Sequence, residues 1–132
     1  MQNLRYVGKN LFIEKLSIKN ILKNNKTPFY IYSENQIAFN FLKFSNTFKK
    51  TNPLICFAAK SNSNLSILKT LGRLGSGADV VSGGELLKAL KAGIKPNKIV
   101  FSGVGKTEEE LKIAINKKIL LINCESESEA IL

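Results

Sequence analysis

Three short stretches of this sequence carry side chains that could do chemistry. GVGKT at 103–107 follows the apolar run KIVFSG and sets glycine, lysine and threonine where a phosphate-cradling loop has them. That loop requires G-x-x-x-x-G-K-[ST], because its first glycine lets the backbone wrap an anion, and the position it would occupy here holds Val100. Nucleotide binding by Lys106 and Thr107 is therefore not expected. In ICFAAKSNSN, Lys60 ends an apolar run and is followed by small polar residues. Alternation along a strand puts Cys56, Ala58 and Lys60 on one side, with small neighbours leaving room above the amine. A lysine so placed is a candidate for covalent chemistry through its amine, and also fits a strand-end lysine reaching into water. In GADVVSGGE, Asp79 falls on the adjoining run, where strands about 4.8 Å apart would let its carboxylate reach the amine or its imine. Gly83 and Gly84 either bring backbone close to a ligand at a helix start or punctuate a loop.

The elements that must position these residues form a repeat. Apolar runs stand at 53–59, 77–81, 98–103 and 119–123, and measured from Leu54, Ala78, Ile99 and Leu120 they recur at steps of 24, 21 and 21 residues. Between them LSILKTLGRL, ELLKALKAG and EEELKIAINKK are apolar at i, i+3, i+4 spacing, the mark of amphipathic helices. An S/T-x-x-E/Q pair stands at each expected helix start: Ser33 with Gln36, Ser82 with Glu85, Thr107 with Glu110, and Ser126 with Glu129. Thr107 is thus read as an N-cap, with Glu108 and Glu109 in a first turn that favours acids. Gly75 and Gly93 fall at C-terminal caps, and Pro96 follows where no helix continues. Near-continuous apolar strands joined by helices imply a parallel sheet, and four βα units amount to about half of a (β/α)8 barrel, which takes about 250 residues. Residues 1–26, with strand-like KNLFIEKLS and a short helix IKNILKNN, stand outside the repeat.

Composition sets the bounds. The chain has 132 residues, 44% hydrophobic and 23% charged, which is ordinary for a globular domain. No apolar run approaches the roughly eighteen residues of a membrane span, and the N-terminus lacks the apolar core of a secretory signal, so a soluble cytoplasmic protein is expected. The formal charge is +10, but the basic residues are scattered lysines apart from Arg5 and Arg73, which points to a solvated surface rather than a nucleic-acid interface. Cys56 and Cys124 lie far apart in apolar segments, and the chain has no histidine, so neither a metal site nor a disulfide is expected and both are read as buried thiols.

The stretches TPFYIYS, CFAAKSNSNLSILKTLGRLGSGADVVSGGEL, AGIKPNKIVFSGVGKTEEEL and NCESESE together resemble the N-terminal part of the bacterial diaminopimelate decarboxylases. The resemblance runs over about residues 27 to 131 without an evident gap. DVVSGGE separates this family from the ornithine and arginine decarboxylases, and FAAK stands where YAVK is usual. It implies a pyridoxal 5'-phosphate (PLP) enzyme of the alanine-racemase-like fold, a (β/α)8 barrel followed by a β-domain. The expected chemistry is decarboxylation of meso-diaminopimelate to L-lysine by a homodimer. A PLP-binding relative acting on another basic amino acid and an inactive PLP-binding fragment are the alternatives.

By the same resemblance Lys60 matches the lysine that holds PLP as a Schiff base, with Asp79 beside it. Glu85 matches the glutamate closing the SGGE turn, and Ala58, Ser102 and Gly103 border the cofactor. The chain is read as an N-terminal part of such an enzyme, inactive alone. It carries the first half of the barrel at 27–132 and an element at 1–26 that packs with the later β-domain.

Overall fold

A computed structural model describes residues 3–132. The chain divides into two compact units, one up to Asn40 and one from Phe41. The division places residues 27–40 with the N-terminal element, beyond the expected boundary at 26.

The N-terminal unit holds an antiparallel meander of β1 (Leu4–Val7), β2 (Asn10–Ile13) and β3 (Leu16–Ser17), then α1 (Ile18–Leu22). The strand-like run read around residues 9–17 is two strands, and β1 precedes it. TPFYIYS stays outside regular structure and leads into α2 (Glu34–Thr47). Glu14 sits in the β2–β3 turn at φ 52°. Its carboxylate accepts from Ser33 Oγ at 2.6 Å, Asn35 N at 3.1 Å and Asn35 Nδ2 at 2.9 Å. Ser33 caps α2 as expected, its hydroxyl accepting from Gln36 N at 3.0 Å. Gln36 does not close a capping box, its amide being engaged by Asn3 and Asn40, and Glu14 instead accepts the Asn35 N–H in the first turn.

The second unit is the βα repeat. Its sheet has the order β4 (Cys56–Ala58), β5 (Gly77–Val80), β6 (Ile99–Phe101), β7 (Leu121–Ile122), all parallel. The helices are α3 (Leu65–Arg73), α4 (Gly83–Lys91), α5 (Glu108–Asn116) and α6 (Glu127–Ile131). The register is uniform: Phe57 lies opposite Ala78, Ala78 opposite Ile99, and Val100 opposite Leu121, so every unit advances by the same length. The apolar run at 53–59 begins before its strand does, which is why run starts alone make the first unit look longer.

One face of the sheet is the core. Ala78, Val80, Ile99 and Phe101 are fully buried and pack with Leu68, Leu86, Ala89 and Ala114 from α3, α4 and α5. The other face carries Cys56, Ala58, Asp79 and Val100, all half-buried, as period-2 alternation requires. Gly77 has no substitute at its position, since a Cβ there would strike the Lys98 carbonyl and stand 2.7 Å from Cys56 Sγ. Gly75 and Gly93 adopt φ 97° and 88° just past α3 and α4, the left-handed caps expected of them. Two expectations are corrected. Cys124 is exposed, because β7 ends at Ile122 and the next residues leave the sheet, and Cys56 is only half-buried. The strand carrying Lys60 stops at Ala58: Ala59–Ser61 curl into a 3-10 turn, closed by Asn62 N on Ala59 O at 3.1 Å and Ser61 Oγ on Ala58 O at 2.7 Å. Strand alternation therefore does not extend to Lys60, which is exposed.

Candidate active site

The residues singled out from the sequence gather at the C-terminal ends of β4, β5 and β6. Ala58 ends β4 and pairs in register with Asp79 on β5, so the two side chains share the half-buried face. Lys60 follows in its turn two residues on. Ser63 Oγ, in the loop after that turn, accepts from Lys88 Nζ on α4 at 3.0 Å. At the end of β6 the ladder runs on through Ser102 N to Val80 O at 2.8 Å, and beyond β7 Asn123 N donates to Phe101 O at 2.9 Å. Asn123 Nδ2 then donates to Ser102 Oγ at 3.0 Å. Gly103 takes φ 91°, and a Cβ there would come within 3.1 Å of Val81 Cβ, so the backbone passes close over the end of β5.

Asp79 Oδ1 is buried and meets no hydrogen-bond donor, Lys60 included. An unpartnered buried carboxylate oxygen is costly unless a donor arrives. The in-register neighbours of Asp79, Ala58 on β4 and Val100 on β6, carry no side-chain donor, so a ligand that brings an N–H or protonated nitrogen would satisfy it. Cys56, on the same face, has its thiol pushed up by burial and further by the Asp79 carboxylate, so it stays a thiol.

The turn after β5 is held by carboxylates of the chain itself. Glu85 Oε2 accepts from Val81 N at 2.9 Å, and Ser82 Oγ accepts from Glu85 N at 3.2 Å. The glycines that follow serve a use not foreseen from sequence. Gly83 N donates to Glu110 Oε1 at 2.7 Å, and a Cβ on Gly83 would lie 3.0 Å from Glu110 Cγ. The backbone approach is to a carboxylate of α5, not to an outside anion. Glu110 also closes the capping box with Thr107, so Thr107 is the N-cap expected of it. The Gly83 and Thr107 backbone donors hold the Glu110 carboxyl below its usual range.

Lys106 is what sequence reasoning missed. Its side chain is 1% exposed, and Nζ donates to Gly103 O at 2.6 Å, Asn123 O at 2.7 Å and both Glu129 oxygens at 3.2 Å. Glu129 accepts as well from Glu125 N at 2.8 Å, the main reason its carboxyl is lowered. The signal available was an acid at the helix start in NCESESE with a lysine one strand earlier, but nothing local says that the two meet.

This half-buried strand-end face, with a lysine in the turn beyond one strand and an unpartnered carboxylate on the next, belongs to an α/β barrel segment. Residues 34–131 match the pyridoxal-dependent decarboxylases, pyridoxal binding domain, and the chain belongs to that family. It is 48% identical over 126 residues to the diaminopimelate decarboxylase of Aquifex aeolicus, covering 96% of this chain and 30% of that protein. It is 55% identical over 106 residues to the diaminopimelate decarboxylase of Helicobacter pylori, covering 80% of this chain and 26% of that protein. The crystal structure of diaminopimelate decarboxylase from M. jannaschii in co-complex with L-lysine superposes with a TM-score of 0.94 at 35% identity, covering 98% of this chain and 31% of that one. The chain thus spans under a third of the length of these relatives, and its sheet is a partial (β/α)8 barrel of their PLP fold. Among the described residues no helix is long and apolar enough to cross a membrane.

Proposed function

We propose that this chain forms the lysine-bearing part of a PLP-dependent carboxy-lyase that converts meso-diaminopimelate to L-lysine and CO2, acting in the cytoplasm as a homodimer. The observation that carries the reading is the buried, unpartnered Asp79 Oδ1 beside the strand end that leads to Lys60. PLP, when bound, supplies an electron sink for the electron pair left as CO2 departs.

The chain's own residues take defined parts. Lys60, exposed in its turn, offers the amine that anchors the cofactor covalently. Asp79 accepts a hydrogen bond from the ligand and fixes its orientation. Ala58 keeps the space open. Ser102 and Gly103 form the border contributed by β6, with the Ser102 hydroxyl already held by Asn123. Glu85 supports the site by fixing the Val81 turn against the end of β5. The N-terminal unit packs with a β-domain of the kind that follows the barrel in the family, and that same later part supplies the contacts to the far end of the substrate.

In the complete enzyme, Lys60→Ala should abolish CO2 release from meso-diaminopimelate together with the visible absorbance of bound cofactor. A borohydride-fixed cofactor adduct persisting in that variant would refute the role of Lys60. CO2 release from lysine or arginine, but not from diaminopimelate, would overturn the substrate.

A further inference from the structure

Among the described residues the buried ammonium of Lys106 is the largest electrostatic commitment in the βα unit that the proposed chemistry does not use. Burying an ammonium is costly unless every proton is satisfied, and here three groups accept from it. Two of the three are main-chain carbonyls at the ends of neighbouring strands: Gly103, next to Ser102, and Asn123, whose side-chain amide donates to Ser102 Oγ. The third is Glu129 on α6. The Phe101 ring lies 5.7 Å from the ammonium and closes its remaining side.

We propose that Lys106 is a positioning residue: its ammonium clamps the loops leaving β6 and β7 so that Gly103 passes close over Val81 and Ser102 keeps its hydroxyl against Asn123. This rests on the reading of the site given above. Capping of α5 needs only Thr107 and Glu110, so the helix start does not account for a buried lysine beside it. What the lysine adds is a single donor centre shared by two strand ends. Because the Ser102 oxygen accepts from Asn123, its own proton is left to donate toward the half-buried face. The direction of that proton follows from where the clamp holds Asn123.

The test uses the complete enzyme with two variants. Lys106→Met with Glu129→Gln removes the ion pair without leaving a buried charge. Lys106→Arg keeps the charge but cannot set a compact donor between two carbonyls. Amide exchange without cofactor should quicken at Ser102 and Asn123, whose amides donate to Val80 and Phe101, in the double variant by roughly tenfold or more. With cofactor, both variants should alter the circular dichroism of the bound PLP band and lower kcat by roughly tenfold to a hundredfold, with little change in KM. If the double variant does not fold, Lys106→Arg decides the matter. Wild-type dichroism and wild-type kcat in a folded variant would overturn the proposal and leave Lys106 a purely structural residue. A wild-type enzyme that binds no PLP would instead overturn the reading of the site, and the exchange rates would still report whether the clamp exists.

Discussion

The two units organise their apolar side chains in opposite ways. From Ala59 onward the βα unit buries Leu68, Val80, Leu86, Ile99 and Phe101 completely. Among the described residues up to Asn40 none is buried, and Tyr6 and Tyr30 are 73% and 88% exposed. One unit is held by a core of its own making. The other is held by hydrogen bonds, above all the Glu14 carboxylate with its three donors, and leaves apolar surface uncovered. A side chain's weight therefore depends on the unit it stands in, and apolar character alone does not predict it.

The largest effect should come from the centre of that core. Phe101→Ala should cost about 3–5 kcal/mol through lost burial and the cavity left behind. Tyr6→Ala, with its ring already in solvent, should change the melting of the βα unit by less than about 0.5 kcal/mol. Denaturant titrations of the two variants measure this directly. Equal losses would show that the exposed surface of the first unit is as important as the core of the second.

Within the βα unit, glycines sharpen the same contrast between crowded and open positions. Gly77→Ala drives a Cβ into backbone and into Cys56 Sγ, which neither strand can yield, and should cost about 1–3 kcal/mol. Gly84→Ala meets nothing nearer than Ser82 Oγ at 3.9 Å and should gain up to about 1 kcal/mol of helix propensity. Thermal melts that rank the two the other way would mean that β5 does not approach Lys98 as described.

Much of the βα unit is legible in the sequence because its cues are local. Helical periodicity, the Ser and Thr caps and the glycines past α3 and α4 all act within one turn, and the structure has them where they were read. What escaped reading depends on distant partners. Glu110 completes its own capping box as expected, yet it also takes Gly83 N from a different helix. Lys106 looks like part of a phosphate loop until the fold brings Glu129 to it. Lys60 was placed on a strand because its neighbours are apolar, whereas Ser61 and Asn62 close a turn on Ala58 and Ala59 that alternation cannot foresee. Of the site, the placement of Asp79 on the strand beside the one that leads to Lys60 was legible from the alternation of runs, whereas its register with Ala58 and the unpartnered state of Oδ1 were not.

The Glu110 bridge makes a pH prediction. Its carboxyl is held below its ordinary value of 4.5, first by Gly83 N and then by Thr107 N. A group depressed in this way contributes fully above the ordinary value, and the contribution is lost as pH falls through the lower folded value. Stability should therefore fall on acidification beginning near pH 4.5 and continuing below it. Glu110→Gln should be less stable than wild type at neutral pH and should lose less on acidification. Parallel pH profiles for the two proteins would remove Glu110 from the account.

The smallest effect separates two lysine–glutamate pairs, one buried and one exposed. Lys106 and Glu129 are 1% and 7% exposed, whereas Lys112 and Glu108, one turn apart on α5 with N and O 2.6 Å apart, are 68% and 58% exposed. The shorter distance belongs to the weaker pair. In water the attraction is screened and two long side chains must be ordered to make it, so Lys112→Ala should cost about 0.3–0.5 kcal/mol. That cost should shrink in high salt, because exposed charges are screened over about 10 Å at 0.1 M. Lys106→Ala should destabilise far more and show little salt dependence, since the lysine and Glu129 lie out of solvent. Melting both variants at low and high salt tests the contrast. A Lys112 effect that is large and insensitive to salt would mean that α5 is covered by another part of the protein, and the distinction between buried and exposed pairs would then have to be redrawn.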